Sequence, residues 1–547
     1  MKSEYRGLAA AGLSVGVLIL WYTVIAPPPA PAPAAATPPI QQVQNGASST
    51  TAPIATAIPS APAGLSSRQE GETVFLSNEL VTIGIDSLGG VAKSWELKKF
   101  FRNGKDPKPV TLAEVQGGVL DMELRGANFE APASIPFKIA AHSPNSVDLI
   151  YGGKNISIRK KIILDPGSYQ LHMEMELQNR SKSTVAFVPV LNWGKVPYEE
   201  SPQRGVLFFK SPPDKWHPIY SKDGSLTSVP YEKVPQTETI SGKIGWMGAE
   251  SRYFIGAIVP VGREAAAVET GQYSTVGQGS FFFTKLVFPA VQVLPGDQWG
   301  QKFNVYGGPK ELKNLQAIGS NFEKAIGYGW ITVVAVPILF LLQFFYKIVH
   351  NYGIAIILLT IFVKLLLNPI NKKSLKSMKA MQELQPKIKE LRAKYGKDQQ
   401  RLNMETMQLF KAHKVNPMGG CLPMLLQFPI YIALYQVLWN SVELYHAPFF
   451  GFYKDLSSPD PYFIVPVFLG IAMFLQTKMT PNPSADPAQQ KIMMIMPLMF
   501  CGLMVFLPMG LGLYILVNTM MTIIQQWMYN KGIRMRDVVT LRVLNKS

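Results

Sequence analysis

An apolar run at residues 353–370, GIAIILLTIFVKLLLNPI, constrains the fold of this chain more than any other feature. A helix of about 20 apolar residues spans the hydrocarbon core of a bilayer, and this run has that length apart from one charged residue, Lys364. A charge at the centre of a span costs roughly 3 kcal/mol on insertion scales. Two explanations stay open. The lysine snorkels to the nearby membrane surface, or it faces a polar cavity between helices.

Further apolar segments indicate a polytopic α-helical membrane protein. The six predicted spans are 8–26, 353–370, 418–442, 461–479, 492–507 and 510–529. The first is longer than the apolar core of a signal peptide, although small-residue cleavage sites follow it, so we expect an uncleaved anchor. The apolar stretch 327–350 adjoins the second span almost directly, which favours an interfacial helix over another span.

The distribution of charge predicts the orientation of the spans. The net charge is +17, and the segment 371–417 holds 12 Lys/Arg against 4 Asp/Glu, whereas the loop 443–460 holds one Lys against three acids. Because positive loops stay on the cytoplasmic side, both termini are expected in the cytoplasm, with residues 27–350 largely outside it. The expected location is the inner (cytoplasmic) membrane of a bacterium.

The region between the first two spans has a different character. Many stretches, such as ISIRKKIILD and YQLHMEMEL, alternate apolar and polar residues and are punctuated by Gly, Pro, Asn and Asp, which predicts a large antiparallel β-sandwich. The predicted domains are an anchor 1–26, a Pro/Ala-rich linker 27–66, a β domain 67–308, a helical connector with an interfacial helix 309–350, a five-span core 351–530 and a basic tail 531–547.

A basic segment, 371–417, interrupts the five-span core. Its apolar residues recur at steps of three and four, with a break at GKD, so a helical hairpin is predicted, kinked at Pro386. A self-packed spacer and a docking element at the membrane surface explain the pattern equally well.

Polar residues recur at helical spacing inside several spans. Thr360, Lys364 and Asn368 share one helix face, as do Gln427 and Tyr431 in the next predicted span, and the last span repeats the pattern. The repeat in the last span consists of Tyr514, Asn518 and Thr522. Taken singly, each is explained by hydrogen bonding between helices. Together with the lysine they predict a wet, positive cavity.

Several motifs of enzymes are absent from the sequence. It contains no P-loop, no HExxH and no paired carboxylates in the apolar segments, and its two cysteines, Cys421 and Cys501, lie in apolar surroundings without metal-ligand spacing. We therefore expect neither an enzyme nor a metal site, cofactor or small-molecule substrate. Two competing hypotheses are a solute transporter that uses Lys364 as its ion or substrate site and an extracytoplasmic glycan-binding or glycan-modifying enzyme on a membrane stalk.

Six stretches in the second half of the chain carry a family resemblance, and all lie within residues 350–530: QPKIKELRAKYG, KVNPMGGCLPMLLQFPIYIALY, SVELYHAPF, DPYFIVPVFLG, DPAQQKIMMIMP and TIIQQ. In these stretches the chain resembles the YidC family of membrane protein insertases. The anchor, linker and β-rich region are similar to the Gram-negative form, in which that region is a periplasmic β-supersandwich.

The resemblance implies a mechanism and partners. Five spans would enclose a hydrophilic groove whose positive residue attracts polar or acidic parts of an incoming chain; Lys364 stands where the family usually has arginine. The implied polar residues of the groove are Thr360, Asn368, Gln427, Tyr514 and Asn518, and the implied slide for an apolar segment is Phe428, Pro429, Tyr431 and Leu503. Ile515 replaces a second tyrosine that some relatives carry. Expected partners are nascent membrane proteins, the Sec translocon, membrane lipids, the ribosome and the signal recognition particle receptor.

Overall fold

The computed structural model describes residues 71–531, apart from 103–107, 130–133, 198–204, 207–208, 211–215, 276–278, 396–397, 414, 416–421, 452, 480–496 and 498–499. The predicted anchor, the linker and the tail beyond residue 531 lie outside the described residues, as do residues 492–496 and 498–499 of the predicted span 492–507.

Alternation of apolar and polar residues builds the β domain. In Ile156–Leu164, buried residues alternate with more exposed ones, as expected for a strand that covers a core with one face. The strands are β1 (Thr73–Ser77), β2 (Val81–Asp86), β3 (Val91–Phe101), β4 (Pro109–Val119), β5 (Asp121–Arg125), β6 (Lys138–Ser143), β7 (Ser146–Gly152), β8 (Ile156–Leu164), β9 (Gln170–Asn179), β10 (Val185–Pro197), β11 (Gly205–Val206), β12 (Phe209–Lys210), β13 (His217–Lys222), β14 (Ser225–Ser228), β15 (Glu238–Glu250), β16 (Phe254–Val261), β17 (Ala265–Thr275), β18 (Gly279–Val287), β19 (Val291–Val293) and β20 (Gln298–Pro309).

Two antiparallel sheets form the layers of this domain. The smaller has the order β1-β2-β3-β4, and the larger has fourteen strands along the path β19-β10-β18-β17-β15-β16-β20-β9-β8-β7-β6, with β5, β13 and β14 attached beside it. Trp95 of the smaller sheet packs directly on Gly307 of the larger, where a Cβ atom would lie 2.4 Å from the indole ring. Glycine therefore permits the close approach of the sheets at this point. The predicted all-β architecture is confirmed.

The helices follow the β domain in the chain. They are α1 (Leu312–Ile318), α2 (Thr332–Val349), α3 (Tyr352–Glu383), α4 (Gln385–Tyr395), α5 (Gln399–Ala412), α6 (Leu422–Asn440), α7 (Ile464–Met479) and α8 (Met509–Asn530). Among the described residues, Gly329–Val349 and Tyr352–Glu383 are long and apolar enough to cross a membrane, and Ile464–Met479 is a shorter apolar helix. α8 packs against α3 and α7, and α2 packs against α3 and α6.

One face of α2 packs on the other helices, and the opposite face is open. Ala335 and Leu342 are fully buried, whereas Val333 and Phe340 are mostly exposed. Length and composition alone allow α2 to span a membrane. Its placement in the membrane interface stays a prediction.

The basic segment does not begin with a new helix at residue 371. α3 continues without a break to Glu383, because KKSLKSMKAM contains good helix formers and neither glycine nor proline. The chain breaks at Leu384, and Pro386 occupies the first turn of α4, where its missing N–H costs nothing. α4 and α5 then pack on each other through Ile388 and Phe410. The first arm is thus an extension of the membrane helix.

A loop of the β domain contacts the C-terminal end of α6. The Arg252 Nε–H donates to the Trp439 carbonyl oxygen at 2.8 Å, and its guanidinium lies 3.7 Å from the centre of the Trp439 ring. The Tyr445 hydroxyl donates to the Phe101 carbonyl oxygen at 2.8 Å. These contacts join the β domain to the helical region directly.

A buried charge cluster lies next to that loop. The Lys310 Nζ atom is 2.6 Å from Glu250 Oε2, and His217 Nε2 is 3.2 Å from Glu250 Oε1. Burial alone would raise the pKa of Glu250, but Lys310 and His217 hold it at about 2, below the ordinary 4.5. The cluster joins the end of β15 to the start of the connector.

We predict that Glu250→Gln destabilises the protein by about 3 kcal/mol, because it leaves Lys310 buried without a counter-charge. Thermal unfolding of the detergent-solubilised protein would measure the loss, with Glu264→Gln as the exposed control, whose partner Lys243 lies 3.6 Å away. Because the pKa of Glu250 is lower in the folded state, its contribution is complete above about pH 4.5 and fades as the pH falls toward 2. Equal stability of the two variants would contradict this role for the cluster.

Candidate functional site

Three helices share a line of polar contacts, which we call the polar seam: Lys364, Gln427, Tyr431, Tyr514, Asn518 and Thr522. The last three lie on α8 at successive four-residue steps, so they occupy one face of that helix. Each of them contacts a polar residue of α3 or α6. α8 is therefore the common partner of the two other helices.

Lys364 lies between helices. Its side chain is buried, with 5% relative exposure, and its ammonium donates to the Thr522 hydroxyl oxygen at 2.9 Å. The Thr522 hydroxyl in turn donates to the Asn518 carbonyl oxygen at 2.8 Å. The charged end is thus held against α8, and the predicted polar cavity around it stays a prediction.

Two further pairs connect α6 to α8. The Gln427 amide donates to the Tyr514 hydroxyl at 2.9 Å, and the Asn518 amide donates to the Tyr431 hydroxyl. The rings of Tyr431 and Tyr514 meet edge to face, with centroids 5.6 Å apart. The structure thus brings together residues that are 87 positions apart in the sequence.

Two amide side chains of α8, Asn518 in the polar seam and Gln525 outside it, retain unused hydrogen-bonding capacity. Asn518 Oδ1 and Gln525 Nε2 are buried without a hydrogen-bond partner among the described residues. No carboxylate of the described residues pairs with Lys364. Since buried polar groups are nearly always satisfied, these atoms mark a place suited to water or to an incoming polar chain.

The two other predicted groove residues of α3 lie at the edge of this arrangement. Thr360 is buried, and its hydroxyl donates to the Ile356 carbonyl oxygen of its own helix at 2.6 Å. Asn368 is half-buried one turn beyond Lys364. Their assignment to a groove stays a prediction.

The predicted slide residues differ in exposure. Phe428 and Leu503 are exposed, at 48% and 41%, whereas Pro429 and Tyr431 are half-buried. Phe428 and Leu503 therefore present apolar surface outside the helix contacts, as an exit surface toward lipid requires. Their contact with a substrate also stays a prediction.

The sequence analysis did not identify two buried glutamines of α8. Gln525 and Gln526 are both buried, and the Gln526 amide donates to the Met479 carbonyl oxygen at 2.7 Å, which ties α8 to the end of α7. Gln526 lies four residues after Thr522, so extending the polar repeat by one step would have identified it, with Gln525 as its neighbour in the chain. No pattern in the sequence predicts that Gln526 contacts α7.

Comparison with known proteins identifies relatives over nearly the whole chain. Residues 344–537 match the family model described as 60Kd inner membrane protein, and residues 73–341 match that of the YidC periplasmic domain. The membrane protein insertase YidC of Geotalea daltonii is 32% identical over 545 residues, covering 97% of this chain and 99% of the relative. That of Syntrophus aciditrophicus is 35% identical over 565 residues, covering 96% and 99%. A crystal structure described as an active YidC insertase with the first transmembrane domain resolved is 18% identical, covers 84% of this chain and 92% of its own, and has a TM-score of 0.35.

The Gln427–Tyr514 contact predicts energetic coupling between α6 and α8. We expect a double-mutant cycle of Gln427→Leu and Tyr514→Phe to show a coupling energy of about 1 kcal/mol in thermal unfolding, the usual size for a hydrogen bond between membrane helices. Tyr529→Phe, farther along α8, replaces Tyr514→Phe in the control cycle. Full additivity of the first cycle would show that the contact contributes nothing to helix packing.

Proposed function

Because the chain belongs to the YidC family of membrane protein insertases, we propose that it receives its substrates at the polar seam. The protein is a membrane protein insertase, an inner membrane protein with a periplasmic domain. Its substrates are accordingly nascent membrane proteins. The activity for which its relatives are named moves a polypeptide chain into the membrane and does not make or break covalent bonds.

The environment of Lys364 supports the proposal that substrates are received at the polar seam. Its ammonium is buried among helices, and its described partner is a neutral hydroxyl, so its charge is not neutralised by a neighbouring carboxylate of the described residues. An acidic or polar segment that enters from the cytoplasm would lose its contacts with water. In their place it would contact this charge and the free amide atoms of Asn518 and Gln525. The polar part of a substrate thereby crosses half of the membrane at a reduced cost.

Release would take place toward lipid. An apolar segment of about 20 residues is more stable in the bilayer than in water, so its partition drives the step without ATP. The exposed side chains of Phe428 and Leu503 offer apolar surface along which such a segment leaves, with Pro429 and Tyr431 beside Phe428 on α6. A transmembrane potential would assist negatively charged segments further.

Orientation and partners belong to the same proposal. The basic segment 371–417 and the basic tail 531–547 support cytoplasmic termini. From the family resemblance we propose cooperation with the Sec translocon, and contacts of the cytoplasmic segments with the ribosome, the signal recognition particle receptor and anionic lipids. In this proposal the protein also assists folding and assembly of its substrates.

The experiment compares wild type, Lys364→Arg and Lys364→Met in cells depleted of their own insertase. The readout is protease accessibility of a single-span substrate with an acidic outer tail, at equal insertase levels. We expect Lys364→Met to lower insertion at least tenfold, because removal of the charge restores most of the cost of burying a carboxylate, roughly 3 kcal/mol on insertion scales. Lys364→Arg should retain activity, because it keeps the charge.

Insertion by Lys364→Met at the wild-type level would refute the role of the charge. A substrate whose acidic residues are replaced by asparagine and glutamine is the matched control, and its insertion should depend much less on residue 364.

A further inference from the structure

We propose that Thr522 is a positioning residue, which holds the Lys364 ammonium inside the polar seam. This inference rests on the proposed function, because it concerns the charge that receives acidic segments. A lysine at an intermediate depth can also snorkel out of the polar seam, since its four-carbon side chain allows the ammonium to reach the membrane surface. A specific contact is therefore needed to keep the charge inside.

Both residues lie well inside their helices, which run in parallel in the proposed topology. Lys364 is 12 residues from the start of α3, and Thr522 is 13 residues from the start of α8. At 1.5 Å per residue, each is roughly 18–20 Å from the outer end of its helix. The 2.9 Å contact therefore joins the ammonium to α8 well inside both helices.

The Thr522 hydroxyl is oriented in advance for this contact. Its proton is donated to the Asn518 carbonyl oxygen at 2.8 Å, so it presents a lone pair to the ammonium. Asn518 is itself held by its amide contact with the Tyr431 hydroxyl of α6. A continuous set of contacts thus runs from α6 through α8 to the charge on α3.

Other threonines of these helices provide an internal comparison. Thr360 and Thr519 also donate to the carbonyl oxygen four residues earlier in their own helices. Among the described hydrogen bonds, Thr522 is the one of these three that also reaches a side chain of another helix. Thr519→Val therefore removes an equivalent hydroxyl from α8 without removing the contact to Lys364.

The test uses the full-length protein in the insertion assay, with the acidic substrate and its amide counterpart. Thr522→Val keeps the shape of the side chain but removes the acceptor, so we expect insertion of the acidic substrate to fall about threefold to tenfold, the range that one hydrogen bond between membrane helices supports. Insertion of the amide substrate should be unchanged. Thr522→Ser should restore insertion of the acidic substrate. Thr519→Val should insert both substrates as well as the wild type does.

The Lys364→Met background separates positioning from a general structural effect. There, Thr522→Val should cause no additional loss, because no ammonium remains to be held. If the valine variant does not accumulate in the membrane, Thr522→Ala takes its place in the same comparison. Wild-type insertion by Thr522→Val, an equal loss with both substrates, failure of Thr522→Ser, or an additional loss in the Lys364→Met background would each overturn the proposal.

A second readout follows the ammonium directly. In vesicles, a water-soluble amine-reactive ester should label Lys364 more completely in Thr522→Val than in the wild type, with the exposed Lys478 as the internal reference. Equal labelling would contradict the proposal. By contrast, wild-type insertion of the acidic substrate by Lys364→Met alone would refute the proposed function itself, so the two failures are distinguishable.

Discussion

A polar group inside a bilayer has no bulk water to bind, so its partners must come from the protein or its substrate. This constraint determines how the helical region is built. One face of α8 offers Tyr514, Asn518 and Thr522, and each satisfies a polar side chain from α3 or α6. The packing of the helices and the position of the charge therefore depend on the same set of contacts.

Buried lysines elsewhere in the protein show how unusual Lys364 is. In the β domain, Lys160 is fully buried, but it donates to the Leu120 carbonyl oxygen at 2.6 Å, and burial lowers its pKa to about 8 despite nearby Asp121. Lys310 is paired with Glu250. Lys364, by contrast, has a neutral hydroxyl as its described partner. A buried charge without a counter-charge is costly for stability but remains available to an acidic segment.

The contact between the β domain and α6 connects the two halves of the protein. Arg252 binds the carbonyl oxygen and the ring of Trp439, twelve residues beyond Gln427 on the same helix. The polar seam and the β domain thus hold opposite parts of one helix. α6 is consequently fixed at its C-terminal end by the β domain and in its N-terminal half by α8.

The sequence by itself determined the kind of structure in each half. Alternation of apolar residues predicted the β domain, and apolar length predicted the membrane helices, because each pattern follows from the solvent that one segment meets. Spacing by four placed Tyr514, Asn518 and Thr522 on one face. The family motifs added the insertase function, and the comparisons support it.

Only the tertiary structure decided which polar residues meet. Lys364 and Thr522 are 158 positions apart, and no local pattern specifies that a lysine of α3 bonds to a hydroxyl of α8. The same holds for Arg252 with Trp439 and for Gln526 with Met479. Local sequence determines what a segment buries, but its partner depends on the packing of segments distant in the chain, which minimises unsatisfied polar groups over the whole structure.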